Sequence, residues 1–395
     1  MSSGGAACWV VLPVAQQASG AWIDDLLRER LAEKYAKRGF LEAGAAIRSR
    51  VEVFRDSDPE ALVNERFYRR GWTDGLPIVA PTAYKVREML RLSPVPATEV
   101  IGEMAPMQGI ASVEKLAANA VMAGCRPEYF PVVLAAVRAL LDPAFNLRGV
   151  QTTDENIAPL LVVSGPVQDQ IDLNAGIGAL GPGWRANATI GRAVRLIMIN
   201  IGGGWPGVVS LAGIGQPARY TLCLGERRQA PWPPLHVEAG FSETQSAVTL
   251  MRAECAVNVT GDLDDIASVM GSAVSAFSLL HGGRVAVLVA PHTAARLAND
   301  GWSKSDVAEY LFQHGRIAVE QWRRLWIRRE IAPSYGLPEW VRRAEGTASI
   351  PVVEAAAHIV IFVAGGDAPI PQHVYFPTWG FPACRVTVPI VSARV

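Results

Sequence analysis

The chain has no excess of either charge: across 395 residues, 37 Lys and Arg balance 37 Asp and Glu, giving a formal net charge of zero. Without a basic surplus or a dense Lys/Arg block, neither nucleic acid nor an anionic membrane is expected as a partner. Cysteine is scarce as well. Cys8, Cys125, Cys223, Cys255 and Cys384 lie far apart with no CxxC spacing, which argues against a disulfide frame or a zinc ribbon and fits a reduced, cytoplasmic protein. No uninterrupted run of ~18 apolar residues occurs, so no membrane-spanning helix is expected. The first residues, MSSGGAACWVVLPVAQQ, carry no basic stretch and Pro13 interrupts their apolar run, so no signal peptide is expected. Several signatures are missing too: no GxxxxGK[ST], no HExxH, and no GxSxG elbow around Ser164. Nucleotide phosphate loops, zinc-protease helices and nucleophilic serine elbows therefore have no sequence support, and no cofactor or metal is expected.

What is present is apolar. Half the residues are hydrophobic and 19% are charged, the balance of a globular chain with a large core. Four runs share a form: Pro77–Pro81, Leu160–Pro166, Val285–His292 and Ile359–Asp367. Unbroken apolar runs fit strands buried on both faces, as in parallel sheets covered by helices. The expected class is α/β, with parallel, helix-covered strands in two halves. Residues 1–56 are expected to form an N-terminal arm around a charged helix, Ile23–Gly44. Residues 57–245 and 246–395 are the two halves. A further helix, the Trp-rich Ala318–Arg329, reads as packed with a solvated basic face.

Ser112–Asp142 reads as two helices joined by a tight corner. Ser112 is an N-cap, Gly124 a helix-terminating glycine, and Pro127 and Glu128 open the second helix. Cys125 and Arg126 lie between. A thiol at a helix N-terminus beside a guanidinium is favoured to ionise, which would make Cys125 a nucleophile. The alternative is a small buried residue in a helix corner.

Asn174–Gly207 is glycine-rich. Gly176, Gly178, Gly181 and Gly183 form a loop, Asn187 is a candidate N-cap, and Thr189 opens an apolar helix. With Arg185 alongside, this is a natural carboxylate or phosphate site, because free backbone N–H groups and the helix dipole point at the ligand. The alternative is that the glycines only let helices approach. Gln151 and Thr152, just before the Leu160 run, line either a substrate cleft or a solvated loop. His236 and Glu238 stand two apart, so in an extended segment both point to one face. That suits a base with its orienting carboxylate, or two metal ligands, and His236 is the first choice of base for Cys125.

NAVMAGCRPEY, GPGWRANATIGRA, GGGWPG and PLHVE together resemble the selenoprotein-B-like, UGSC-related bacterial proteins, relatives of the glycine/betaine/sarcosine reductase B components. The resemblance covers Trp72–Glu238 well and the C-terminal half loosely. It implies thiol or selenol chemistry, making or breaking a C–S or C–N bond on a small anionic substrate, in an oligomer. It also implies a smaller partner carrying the UGSC motif, which this chain lacks; its matching thiol is Cys125. Two functions follow. The chain is either a cysteine-thiolate enzyme (Cys125, His236, Glu238, with Arg126 and the glycine loop holding substrate) or a non-catalytic subunit that presents substrate to the UGSC-type protein.

Overall fold

A computed structural model describes residues 6–11, 51–378, 383 and 385–392. The helix expected over residues 23–44 lies outside them. What is described of the arm is a strand pair: β1 (Ala6–Val11) runs antiparallel to β2 (Val51–Asp56). Helix α1 (Pro59–Arg69) follows, capped by the Asp58 carboxylate on the Ala61 amide, as the Asp-Pro start requires. Then come α2 (Ala83–Leu90) and a hairpin of β3 (Val100–Met104) and β4 (Gly109–Ser112).

The helix pair forms where expected. Helix α3 (Val113–Ala123) ends at Gly124, whose φ of 88° places it in the left-handed region. The Gly124 amide donates to the Val121 carbonyl and the Cys125 amide to the Ala120 carbonyl, the paired bonds of a Schellman end. A 3-10 turn at Pro127–Tyr129 leads into α4 (Phe130–Leu141). Further on, α5 spans Leu147–Thr152, α6 Arg185–Asn200 and α7 Leu235–Glu238.

Two four-stranded sheets form the centre. The first has the order β14–β7–β5–β6, from β5 (Ala158–Ser164), β6 (Cys223–Gly225), β7 (Ala247–Ala253) and β14 (Val386–Pro389). The second has the order β12–β9–β13–β8, from β8 (Val257–Thr260), β9 (Val285–Val289), β12 (Ile359–Val363) and β13 (Gln372–Phe376). On the first sheet, Leu161, Val163, Cys223, Val248 and Leu250 pack with Leu116, Val133 and Ile190 of the helices. Its other face, Leu160, Val162, Leu224 and Met251, meets Leu288, Val360, Phe362 and Phe376 of the second sheet. The outer face of the second sheet, Val287, Val289 and Ile361, packs under α8 (Leu263–Met270), α9 (Pro291–Asn299) and α10 (Lys304–His314). The layers are helix, sheet, sheet, helix.

This explains the apolar runs and corrects one inference from them. The chain is α/β, and the strands are buried on both faces, but each sheet has helices on one side only and its fellow sheet on the other. Strand directions are accordingly mixed, not uniformly parallel. β5–β6 and β9–β12 are parallel, whereas β5–β7, β7–β14, β9–β13 and β13–β8 are antiparallel. Burial on both faces fixes no strand direction, so the runs could not reveal it. β7 and β14 join the first sheet, so a division at residue 245 cuts through that sheet instead of separating two halves. Among the described residues Pro77–Ala80 pairs with no strand; it is an extended segment tied by the Ile78 amide to the Asn64 side chain.

A smaller helical layer, with the antiparallel pair β10 (Arg316–Ala318) and β11 (Ser349–Pro351), surrounds Trp322 and Trp340, and the Trp322 indole donates to Glu345. Among the described residues no single helix is long and apolar enough to cross a membrane. One bent pair, Leu263–Met270 with Ala273–Leu280, passes that test by composition. Its Ile266, Met270 and Leu279 are buried in the core.

Candidate functional site

β5 and β6 run parallel and end side by side, the position where α/β proteins place ligands. β5 closes on Ser164, and the chain turns at Gly165, whose φ is 97°. A Cβ there would lie 2.3 Å from the Gln245 carbonyl, so the turn requires glycine. Immediately after β6 comes Glu226, whose amide extends the ladder to the Val163 carbonyl. Gln168 locks the two strand ends, donating from Nε2 to the carbonyls of Val163 and Glu226, each at 2.9 Å.

The Glu226 carboxylate is buried, 2% exposed. Its Oε2 accepts from Ser164 Oγ at 2.6 Å and from the Leu235 amide at 2.8 Å. Lys304 Nζ lies 3.6 Å from Oε1. Burial pushes the Glu226 carboxyl above the usual carboxylate range, and Lys304 opposes the shift most. Glu226, His236, Trp232, Arg228, Glu243 and Thr244 line one cavity of about 620 Å³, within the size range of small-molecule sites.

His236 is 2% exposed, and neither ring nitrogen finds a hydrogen-bond partner of good geometry. Burial lowers its pKa from the ordinary 6.5; the nearby main chain of Glu243 and Ser242 opposes this. The imidazole is therefore held neutral, able to accept a proton.

His236 and Glu238 do not share a face, contrary to the expectation from an extended segment. Pro234 caps a single helical turn, Leu235–Glu238, and residues two apart on a helix diverge by roughly 200°. His236 enters the cavity. Glu238 instead pairs with Lys304 Nζ and Arg385 Nη1, each at 2.7 Å. Lys304 thus bridges Glu226 and Glu238.

The Cys125 corner is differently built. Cys125 is 8% exposed, and its thiol donates to the Thr189 carbonyl at 3.3 Å. Burial drives the thiol up to about 12, although Thr189, Arg185 and Arg192 pull it down. It follows a helix end and lies outside the next helical turn, whose N-cap is Arg126. His236 is not its hydrogen-bond partner, and Cys125 does not line the His236 cavity.

The glycine-loop residues are also committed. α6 begins at Arg185, so Asn187 sits inside the helix and does not cap it. Its side chain clamps the loop, accepting from the Asn174 amide and donating to the carbonyls of Asn174 and Ala179. Arg185 Nε donates to the Gly124 carbonyl at 3.0 Å, closing the end of α3. Thr189 bonds back to the Arg185 carbonyl, and the Gly181 amide bonds within the loop to Gly178. Gly183, with a φ of 122°, turns in open space. Arg126 is exposed. Gln151 is buried and donates to the Ala105 carbonyl; Thr152 is exposed and donates to the Arg148 carbonyl. Of the sequence-derived site residues, the structure brings His236 to this cavity, while Glu238 lines a different one with Lys304 and Arg385.

Ser164, Glu226, Trp232 and Lys304 were not singled out as site residues. β6 is three residues long, too short for a periodicity signal, so the acid after CLG had no visible strand to follow. Among the described residues no three His, Cys, Asp or Glu side chains converge as metal ligands. No protein-family model, curated protein or solved structure matches the chain.

Proposed function

We propose that this chain is an enzyme of proton-transfer chemistry on a small polar substrate bound between the β5–β6 strand ends and α7. One observation carries the reading. Two buried titratable side chains, Glu226 and His236, wall the same cavity, and among the described residues no hydrogen bond of good geometry reaches the imidazole. Buried polar groups are ordinarily satisfied, and displaced pKa values gather at functional sites. In this reading neutral His236 takes a proton from the substrate. Glu226, whose Oε2 is already engaged by Ser164 and Leu235, returns one from Oε1 to another substrate atom. The net step relocates a proton, as in an isomerisation or the opening step of an elimination, and consumes no oxidant or reductant.

The thiolate alternative relies on Cys125, whose burial favours the neutral thiol. The presenting-subunit alternative keeps the cavity as a substrate holder for a UGSC-type thiol protein. Incubating the purified chain in D₂O with small oxo and carboxylic acids, read by proton NMR, separates the three. The expected result is exchange of one substrate C–H, slowed roughly 100-fold or more in folded His236→Gln and Glu226→Gln variants. Equal exchange in wild type and His236→Gln would overturn the assignment. Turnover only after adding the UGSC-type protein would favour presentation, and turnover abolished by Cys125→Ser alone would favour the thiolate.

A further inference from the structure

At the opposite end of the β5–β6 pair lies a second cavity, independent of the proposed acid–base site. It has a volume of about 540 Å³, and its polar lining includes Asp74, Arg195, Ser210, Gln216 and Arg219. Arg195 comes from the middle of α6 and is 7% exposed. Its Nε donates to the Arg219 carbonyl at 2.6 Å, whereas its Nη2 is buried without a partner. The Arg219 side chain reaches the same wall and donates to Ser210 Oγ.

Two guanidinium groups therefore line this cavity and, among the described residues, neither is in an ion pair with a carboxylate. Asp74 is the acid in the lining, and it is spent on Arg192. Arg192 Nε lies 2.7 Å from Asp74 Oδ2 and Nη2 lies 2.9 Å from Oδ1, while the Leu76 amide donates to Oδ1 as well. Burial and the neighbouring Arg219 charge push Arg195 down to about 9, with Asp74 opposing. Unpaired buried charge is costly, and forked guanidiniums match planar oxyanions.

The lining also has an apolar share that includes Ile199, Ala212, Ile214, Pro217 and Tyr220. Ile214 is 89% exposed at this wall, apolar surface that a bound organic body would cover. The geometry points to a binding site for an organic carboxylate, with its carboxylate on Arg195, Arg219 and Ser210 and its apolar body against Ile214, Pro217 and Tyr220. This site lies on α6, as the anion site expected from the sequence did, but in mid-helix instead of at the N-terminus.

Calorimetric titration tests it with three probes: benzoate, its neutral analogue benzamide, and inorganic phosphate. Benzoate is expected to bind saturably and more tightly than phosphate, with benzamide not binding. Affinity for benzoate should fall roughly tenfold or more in Arg219→Met. Arg195→Met should behave alike if it folds; Arg219 is only partly buried, so its variant keeps the test decisive. Benzamide binding as well as benzoate, phosphate binding better than benzoate, or unchanged benzoate affinity in Arg219→Met would each overturn the assignment.

Discussion

The Cys125 corner and the His236 cavity both suggested chemistry from their residue types, and the structure separates them by one property. At the corner the polar atoms are matched. The Cys125 amide goes to the Ala120 carbonyl, its thiol to the Thr189 carbonyl, and the Gly124 carbonyl receives Arg185. At the cavity, among the described residues, no hydrogen bond of good geometry reaches either nitrogen of the buried imidazole, and a buried carboxyl stands on the same wall. A satisfied network stabilises a fold, while an unsatisfied one needs a ligand or a reaction to explain its persistence. The proposed acid–base site rests on this difference and not on a reactive residue type.

The largest expected effect lies at the cavity. Glu226→Ala would leave Lys304, Ser164 and the Leu235 amide facing a void, and Lys304 has only 12% of its side chain exposed. Each buried donor left without its acceptor costs about 1–3 kcal/mol, so a loss of a few kcal/mol is expected. Urea denaturation should show that loss, with Glu226→Gln retaining much of the stability. A cost under ~1 kcal/mol would mean that Lys304 relaxes fully onto Glu238, and the carboxyl would lose its structural hold.

Next comes pH. The folded pKa of His236 is below the ordinary 6.5. The neutral imidazole is therefore favoured by the fold. Its stabilising contribution is complete above about 6.5 and is lost as pH falls through the depressed folded value. His281, His358 and His373 are shifted the same way by burial, so the whole protein should weaken below that pH. His236→Gln should flatten the slope of stability against pH by up to ~1.4 kcal/mol per unit, one proton's worth. An unchanged slope would show that His236 is protonated at no cost, and the comparison with the corner would collapse.

The sequence made the layers legible better than their connections. The helix corner, with Gly124 and Pro127, formed where local chemistry required it. Three of the four apolar runs, at Leu160, Val285 and Ile359, became central strands. Strand direction was not readable, because a facing sheet and a covering helix bury a strand equally well. Asn187 and Arg185 were rightly placed near a helix start. Their partners Asn174 and Gly124 lie 13 and 61 positions away, and a sequence pattern does not disclose whether such side chains are free. Glu226, Lys304, Arg195 and Arg219 were unreadable for the same reason: their burial and their partners are set by the fold and not by neighbouring residues.

A smaller effect is expected at the thiol. With Cys125 driven up to about 12, iodoacetamide should leave it unmodified in the native protein near neutral pH and label it after unfolding. A native labelling midpoint below ~8.5 would restore the thiolate reading and reverse the contrast between corner and cavity.

The smallest effect, Arg185→Ala, sharpens the contrast along a single helix. Arg185 and Arg195 both lie on α6. Arg185 is exposed and gives its Nε to the carbonyl of Gly124, whereas Arg195 is buried with Nη2 unmatched. Removing an exposed side chain with one hydrogen bond costs under about 1 kcal/mol, because water replaces the lost donor at the Gly124 carbonyl. Arg185→Ala should therefore lower the melting temperature by no more than a few degrees and leave benzoate binding unchanged, while Arg219→Met weakens it. If Arg185→Ala instead abolished benzoate binding and Arg219→Met did not, the anion would sit at the helix N-terminus after all. The glycine loop would then be the site, and the unmatched guanidinium in mid-helix would be a cost that the fold carries for another reason.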